Sequence, residues 1–208
     1  MVRRSKYAAE VTRKKILDAA ESCFHDIGVA KTTLGMIAER AGCTRGAIYW
    51  HFSEKNDLFR QVIERTPILL LSELERISKG TSRHPVKNLY CCLSRNLEDL
   101  QENIHLRNVI GLVILKHPVP EEVNIQHIKE DNIKKEFIRL LNDIFEAAKK
   151  KGELDVQIDS KTLAYLIFFI FSGVVRGYIN HPDDRDSFKN GYHLLELIIS
   201  TLVKNKIR

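Results

Sequence analysis

Apolar side chains recur three and four residues apart along almost the whole chain, and nowhere alternate long enough to make a half-buried strand. A period near 3.6 buries one stripe of a helix, whereas a period of two buries one face of a sheet. The chain can hide its apolar surface only as packed helices, so the expected fold class is all-α, with about nine helices. At 208 residues, 44% hydrophobic and 29% charged, it needs no disulfide or metal to prop up a core.

Caps and breakers divide the pattern. Ile16, Ala19, Ala20, Cys23, Phe24 and Ile27 share one stripe, closed at Gly28, where a left-handed residue commonly ends a helix. Thr33 caps a short second helix carrying Leu34, Ile37, Ala38 and Ala41 and closed by Gly42. Thr44 caps a third through about Phe52, and Ser53, Glu54 and Asp57 open a fourth with Leu58, Phe59, Val62 and Ile63 inside. Two short helices joined by a glycine-containing turn form the helix-turn-helix pattern. Pro67 predicts a kink, or a restart capped by Thr66. Longer helices are expected over 86–102, 104–116, 121–151, 160–180 and 185–204, separated by His117-Pro118, Lys151-Gly152 and His181-Pro182. The organisation is a three-helix domain with the helix-turn-helix, residues 1–66, joined through its fourth helix to a larger helical domain, residues 67–208.

Charge and cysteines narrow the function. Residues 1–66 hold twelve Lys/Arg against eight Asp/Glu, most of the chain's surplus of +6. A basic first third suits nucleic acid or an anionic surface. Cys23, Cys43, Cys91 and Cys92 form no CxxC pair and no zinc spacing, so no metal is expected and reduced thiols in a cytoplasmic protein are. The greasiest stretch, 163–175, is shorter than a membrane span and reads as a buried helix, so no membrane is expected. No catalytic triad, di-metal Glu-x-x-His pair or phosphate loop is present, and His105, His117 and His127 stand alone. The chain is not expected to be an enzyme and calls for no cofactor.

The third helix carries the chemistry. With Ile48 inward, a turn of about 100° per residue puts Thr44 and Phe52 inward too, Gly46, Ala47, Tyr49 and Trp50 outward, and Arg45 and His51 on the flanks. Outward aromatics on so short a helix suit a partner whose phosphates they can bond and whose base edges they can touch. Small residues at 46 and 47 let the helix lie close to a groove floor. Between Lys31 and Ser53 the only acid is Glu39, against Lys31, Arg40, Arg45 and, just beyond, Lys55. Lys55 adds its charge to the positive end of the fourth helix, a place for a backbone phosphate.

The run from Thr32 to Phe59, T-T-L-G-M-I-A-E-R-A-G-C-T-R-G-A-I-Y-W-H-F-S-E-K-N-D-L-F, resembles the tetracycline-repressor (TetR) family, and within it the multidrug-efflux repressors of the AcrR/TtgR type. The likeness runs without a gap from about Val2 to Glu64, then fades past Pro67 to helix lengths and an echo at Ser172-Gly173. It implies that Arg45, Gly46, Ala47, Tyr49, Trp50 and His51, with Thr44 at the helix start, face the major groove, and that Thr33 and Lys55 anchor phosphates. Leu34 departs from members with a basic base-reader there. The resemblance further implies a homodimer on a near-palindromic operator, with the last two helices as the dimer interface: Leu163, Leu166, Ile167, Phe169, Ile170, Val174, Leu194, Leu195, Leu197, Ile198, Ile199 and Leu202. It also implies a small hydrophobic or amphipathic inducer bound among Leu70, Leu89, Leu93, Leu97, Ile110, Val113, Ile114, Phe137, Leu141, Phe168 and Phe171, with Asn108, His117 and Arg176 as polar contacts. The function expected is a ligand-relieved repressor of an efflux or detoxification operon; an activator, a DNA-organising factor or a sensor of acyl ligands are the alternatives.

Overall fold

The computed structural model describes residues 2–65, 69–114, 125–154 and 157–203. Among them are ten helices: α1 Val2–Ile27, α2 Leu34–Ala41, α3 Arg45–His51, α4 Lys55–Arg65, α5 Leu70–Lys79, α6 Pro85–Glu102, α7 Ile104–Ile114, α8 Ile125–Lys150, α9 Ser160–Asn180 and α10 Arg185–Leu202. The all-α expectation holds, and the only extended pairing among these residues is a single bridge between Leu154 and Val203. Thr66, Pro67 and His117 lie outside the described residues.

The chain divides into two units, residues 1–67 with 104–127, and residues 68–103 with 128–208. The division near residue 66 is therefore a chain crossing, but α7 joins the N-terminal unit rather than the helices beside it in sequence. The reason is its apolar stripe: Val109 and Leu112 are fully buried in the same core as Ile16, Ala20, Phe24, Ile37, Ile48, Phe52, Leu58 and Val62. Phe24 and Phe59 meet edge to face at 5.4 Å in that core. Each such buried Ile, Leu or Phe contributes roughly 1.5–3 kcal/mol relative to exposure, enough in sum to hold helices as short as α2 and α3.

In the C-terminal unit α5 packs on α6, and α10 packs on both α9 and α6. Glu153, almost fully buried, caps α6: its carboxylate accepts from the free backbone N–H groups of Val86 at 3.0 Å and Lys87 at 3.3 Å. Proline at the first position of α6 leaves no N–H of its own to satisfy there. The apolar helix α9 is longer than the stretch 163–175 and, by length and composition, long and apolar enough to cross a bilayer. One face does sit in the unit's core, through Leu163, Ala164, Ile167, Phe171 and Val175. The expectation of a wholly buried helix is corrected, however, because Tyr165, Leu166 and Phe169 are exposed.

The entry to α4 is fixed by Asp57. Its carboxylate accepts from Gln61 Nε2 at 2.9 Å, Arg60 Nη2 at 2.8 Å and the Ser53 backbone N–H at 3.1 Å. Hydrogen bonds from Gln61 and Arg60, then the Ser53 bonds, pull its pKa from 3.8 down to about 2. A lowered folded-state pKa stabilises the fold above the unfolded value near 3.8, and that gain disappears as pH falls toward 2. Asp57→Asn should therefore cost about 1 kcal/mol at neutral pH, as loss of a helix-start cap does. Circular-dichroism melts should show the variant and wild type converging below pH 3; a gap that persists unchanged in acid would rule out the carboxylate as its source.

Candidate nucleic-acid interface

The turn between α2 and α3 is built from three local contacts. Thr33 caps α2, its Oγ1 accepting from the Met36 N–H at 3.2 Å, and Thr44 caps α3, accepting from the Ala47 N–H at 3.2 Å. Gly42 takes a left-handed conformation, φ 64°, which lets Cys43 N–H reach back to the Ala38 carbonyl and Gly42 N–H to Glu39. A side chain at that φ is strained, so glycine is required there by backbone conformation.

From this turn α3 emerges with Ile48 fully buried, Tyr49 55% exposed and Trp50 70% exposed. Arg45 and Gly46 are exposed as well, Ala47 half-buried, and His51 half-buried on the flank. A methyl group added at Gly46 would meet only Thr44 Oγ1, at 3.8 Å. Nothing inside this unit demands glycine at 46, so its smallness faces outward. The expected inward position of Thr44 is corrected: it is exposed, because its extended backbone (φ −84°, ψ 156°) takes it off the helical wheel. Phe52 is inward as expected, with the Arg13 guanidinium 5.5 Å from its ring centre. Burial first, then the charge of Arg13, pushes the His51 pKa down.

Two of the expected cations are engaged within the unit. Arg40 pairs with Asp26 at 2.7 Å. Lys55 does not present its ammonium outward: Nζ donates to the carbonyls of Val29, Ala30 and Thr32 at 2.9, 3.3 and 3.1 Å. An ammonium has three hydrogens, and all three are directed into the α1–α2 loop. Lys55 therefore clasps this loop against the start of α4. Thr32, buried, binds the same loop from within by donating to the Gly28 carbonyl at 2.8 Å. Leu34 packs against the core rather than standing out as a reader.

The residues expected around an inducer are divided between the units. Leu89, Leu93, Leu97, Phe137, Leu141 and Phe171 lie in the core of the C-terminal unit, Leu70 and Phe168 are half-buried there, and Arg176 is exposed. Phe137 meets Phe168 and Phe171 edge to face at 5.6 and 5.7 Å. Asn108, Ile110, Val113 and Ile114 belong to α7 of the N-terminal unit, half-buried, and the Asn108 amide donates to Glu21. Glu21 itself, buried with three partners, is missed by sequence reasoning, where it reads as one more polar position of α1.

A basic all-helical chain that turns a capped, seven-residue helix outward with exposed aromatics is a helix-turn-helix DNA-binding protein. The sequence profile described as "Bacterial regulatory proteins, tetR family" matches residues 16–62, covering α2, α3, the C-terminal part of α1 and most of α4. The transcriptional regulator TtgR of Pseudomonas putida is 30% identical over 195 residues, 89% of this chain and 89% of TtgR. Among solved structures, the SmeT–triclosan complex is 31% identical with a TM-score of 0.78, covering 94% of this chain and 93% of SmeT. SmeT is described as the repressor of the Stenotrophomonas maltophilia multidrug efflux pump SmeDEF. NalD, described as the secondary repressor of the MexAB-OprM multidrug efflux pump in Pseudomonas aeruginosa, is 26% identical with a TM-score of 0.77, covering 96% of this chain and 99% of NalD. The chain belongs to the tetR family of bacterial regulatory proteins.

The two roles of Lys55 separate in a salt titration. Lys55→Met should lower the melting temperature of the protein and leave the slope of log Kobs against log salt on DNA unchanged; a lysine on phosphate would reduce that slope by about 1.

Proposed function

We propose that this protein is a ligand-relieved transcriptional repressor acting in the cytoplasm: a homodimer that binds a near-palindromic operator and is released by a small hydrophobic or amphipathic inducer, controlling an efflux or detoxification operon. The observation that carries the DNA half is the exposure of Tyr49 and Trp50 on a helix whose only buried residue is Ile48. Burial of Ile48 fixes which residues stand out, and the outward set of Arg45, Gly46, Tyr49 and Trp50 joins a cation, a close-approach position and two flat amphipathic rings. Thr33 and Thr44, exposed at the helix starts, would bond phosphates through their hydroxyls.

The inducer half rests on the apolar content of the C-terminal unit, and on likeness over nearly full length to SmeT, whose structure is a triclosan complex. Triclosan, a neutral aromatic phenol, suits the Phe137, Phe168 and Phe171 cluster better than a dication would. The dimer half rests on α9 and α10. Of the residues expected there, Leu163, Ile167, Leu195, Ile199 and Leu202 are used inside the unit, whereas Leu166, Phe169, Leu194 and Leu197 stay exposed. Ile170, Val174 and Ile198 are half-buried beside them. A second copy presenting the same stripe covers it by two-fold symmetry.

The test is fluorescence anisotropy on the DNA upstream of the protein's own gene, with random duplex as competitor and with triclosan added. Specific binding that triclosan weakens is the expected result, and Arg45→Ala and Tyr49→Ala should each cost about 1–3 kcal/mol on the operator while leaving random DNA nearly unaffected. Equal losses on both duplexes would remove these side chains from base reading. For the dimer, Phe169→Glu should shift the protein to a monomer in sedimentation; an unchanged dimer would move the interface elsewhere.

A further inference from the structure

Glu21 is a carboxylate in the wrong place for a solvated helix face. It is 1% exposed on α1, and removing a charge from water costs several kcal/mol unless it is paired and hydrogen-bonded. Here it is paired on both oxygens. Arg65, from the last turn of α4, donates Nη2 to Oε2, and its Nη1 reaches Asp18 on α1 at 2.5 Å. His105 Nδ1 stands 2.8 Å from Oε1, and Asn108 Nδ2 donates to the same oxygen at 3.2 Å. Both of these come from the first turns of α7. One buried carboxylate thus ties three helices of the N-terminal unit together.

The position of the partners along the chain gives the arrangement its meaning. The chain passes between units after residues 67, 103 and 127. Arg65 lies two residues before the first passage and His105 two residues beyond Asn103, the last residue before the second. Glu21 therefore fastens both passages to the helix that carries the reading head's core, since Ile16, Ala20 and Phe24 of α1 pack with Ile37 of α2 and Ile48 of α3.

We propose that Glu21 is a positioning residue for operator reading: a shared latch through which a displacement of the chain at either passage is passed to α1 and α4, and so to the pose of α3. The apolar core resists separation of these helices, but it is non-directional and tolerates small slides. A buried charge with three directed partners does not, because a slide of the helices leaves a desolvated donor or acceptor unpaired. The inference rests on the DNA-binding reading above and adds to it a residue that touches no DNA. It also reassigns Asn108 from the inducer to the latch.

The test uses the full chain and the isosteric Glu21→Gln. Hydrogen exchange should accelerate together in the last turn of α4 and the first turns of α7, by about tenfold, the scale of a contact-network coupling. His105→Gln, on α7, should loosen the last turn of α4 in the same way and add nothing in the Glu21→Gln background. Effects of the two substitutions that simply multiply, or an α4 indifferent to His105, overturn the latch. On DNA, Glu21→Gln should lower the ratio of operator to random-duplex affinity about tenfold, with the affinity for random DNA and the salt slope unchanged. A selectivity that stays at the wild-type value while exchange rises would reduce Glu21 to a structural role. Wild-type protein without any operator preference would overturn the DNA reading, and the exchange cycle would still judge the latch. If Glu21→Gln fails to fold, Asn108→Ala removes one of the two α7 contacts and should give the same changes in smaller measure.

Discussion

A seven-residue helix cannot support itself in water, because one turn of fixed backbone is gained for too few hydrogen bonds. Helix α3 exists only because Ile48 and, at its end, Phe52 are buried in a core supplied by α1, α2, α4 and α7. That dependence governs the rest of the N-terminal unit. The side chains available for a partner are those the burial of Ile48 leaves outside, and their aim is as fixed as the core is tight. Glycine at 42 and threonine at 33 and 44 serve the same end, setting the angle between two helices too short to set it by ridge-and-groove packing.

Where the core is non-directional, polar contacts supply direction. Lys55 closes the loop between α1 and α2 with three hydrogen bonds to carbonyls, and Glu21 joins α1 to α4 and α7. Both are long charged side chains turned inward on the part of the chain that carries most of its basic surplus. In each case the charge meets a full set of partners, which is the condition for tolerating it. The cations left outward are fewer than the sequence count suggests, since Arg40, Lys55 and Arg65 are all committed within the unit.

What could be read in the sequence follows from the range of the interactions concerned. Helix starts at Thr33, Thr44 and the Ser53–Asp57 pair are legible because each depends on residues three or four positions away. Ile48 inward with Tyr49 and Trp50 outward is legible from period alone. Thr44 escapes the same reading because a cap residue has extended backbone and does not obey the helical wheel. The role of Lys55 is hidden because its acceptors lie 23 to 26 residues back, and that of Glu21 because two of its partners lie 84 and 87 residues on. The placement of α7 is hidden for a related reason: periodicity tells which face of a helix is apolar but not which core receives it. An inducer set selected by apolar character therefore mixes α7 with core residues of the C-terminal unit.

The two unpartnered surfaces differ in chemistry in a way that matches different lifetimes of contact. Around α3 the exposed residues are Arg45, Tyr49 and Trp50 beside Gly46, polar at their tips and flat, suited to a wet interface whose strength salt controls. On α9 and α10 the exposed large apolar residues are Tyr165, Leu166, Phe169, Leu194 and Leu197, with charged residues such as Arg176 and Glu196 exposed on the same helices. Burial of such a stripe is driven by water release, changes little with salt and favours an association that persists. A regulator has to leave its operator without coming apart, and that requires one of its contacts to be reversible while the other is not. The division is already present in the side chains, polar and aromatic on the helix proposed to read, aliphatic and aromatic on the helices proposed to pair.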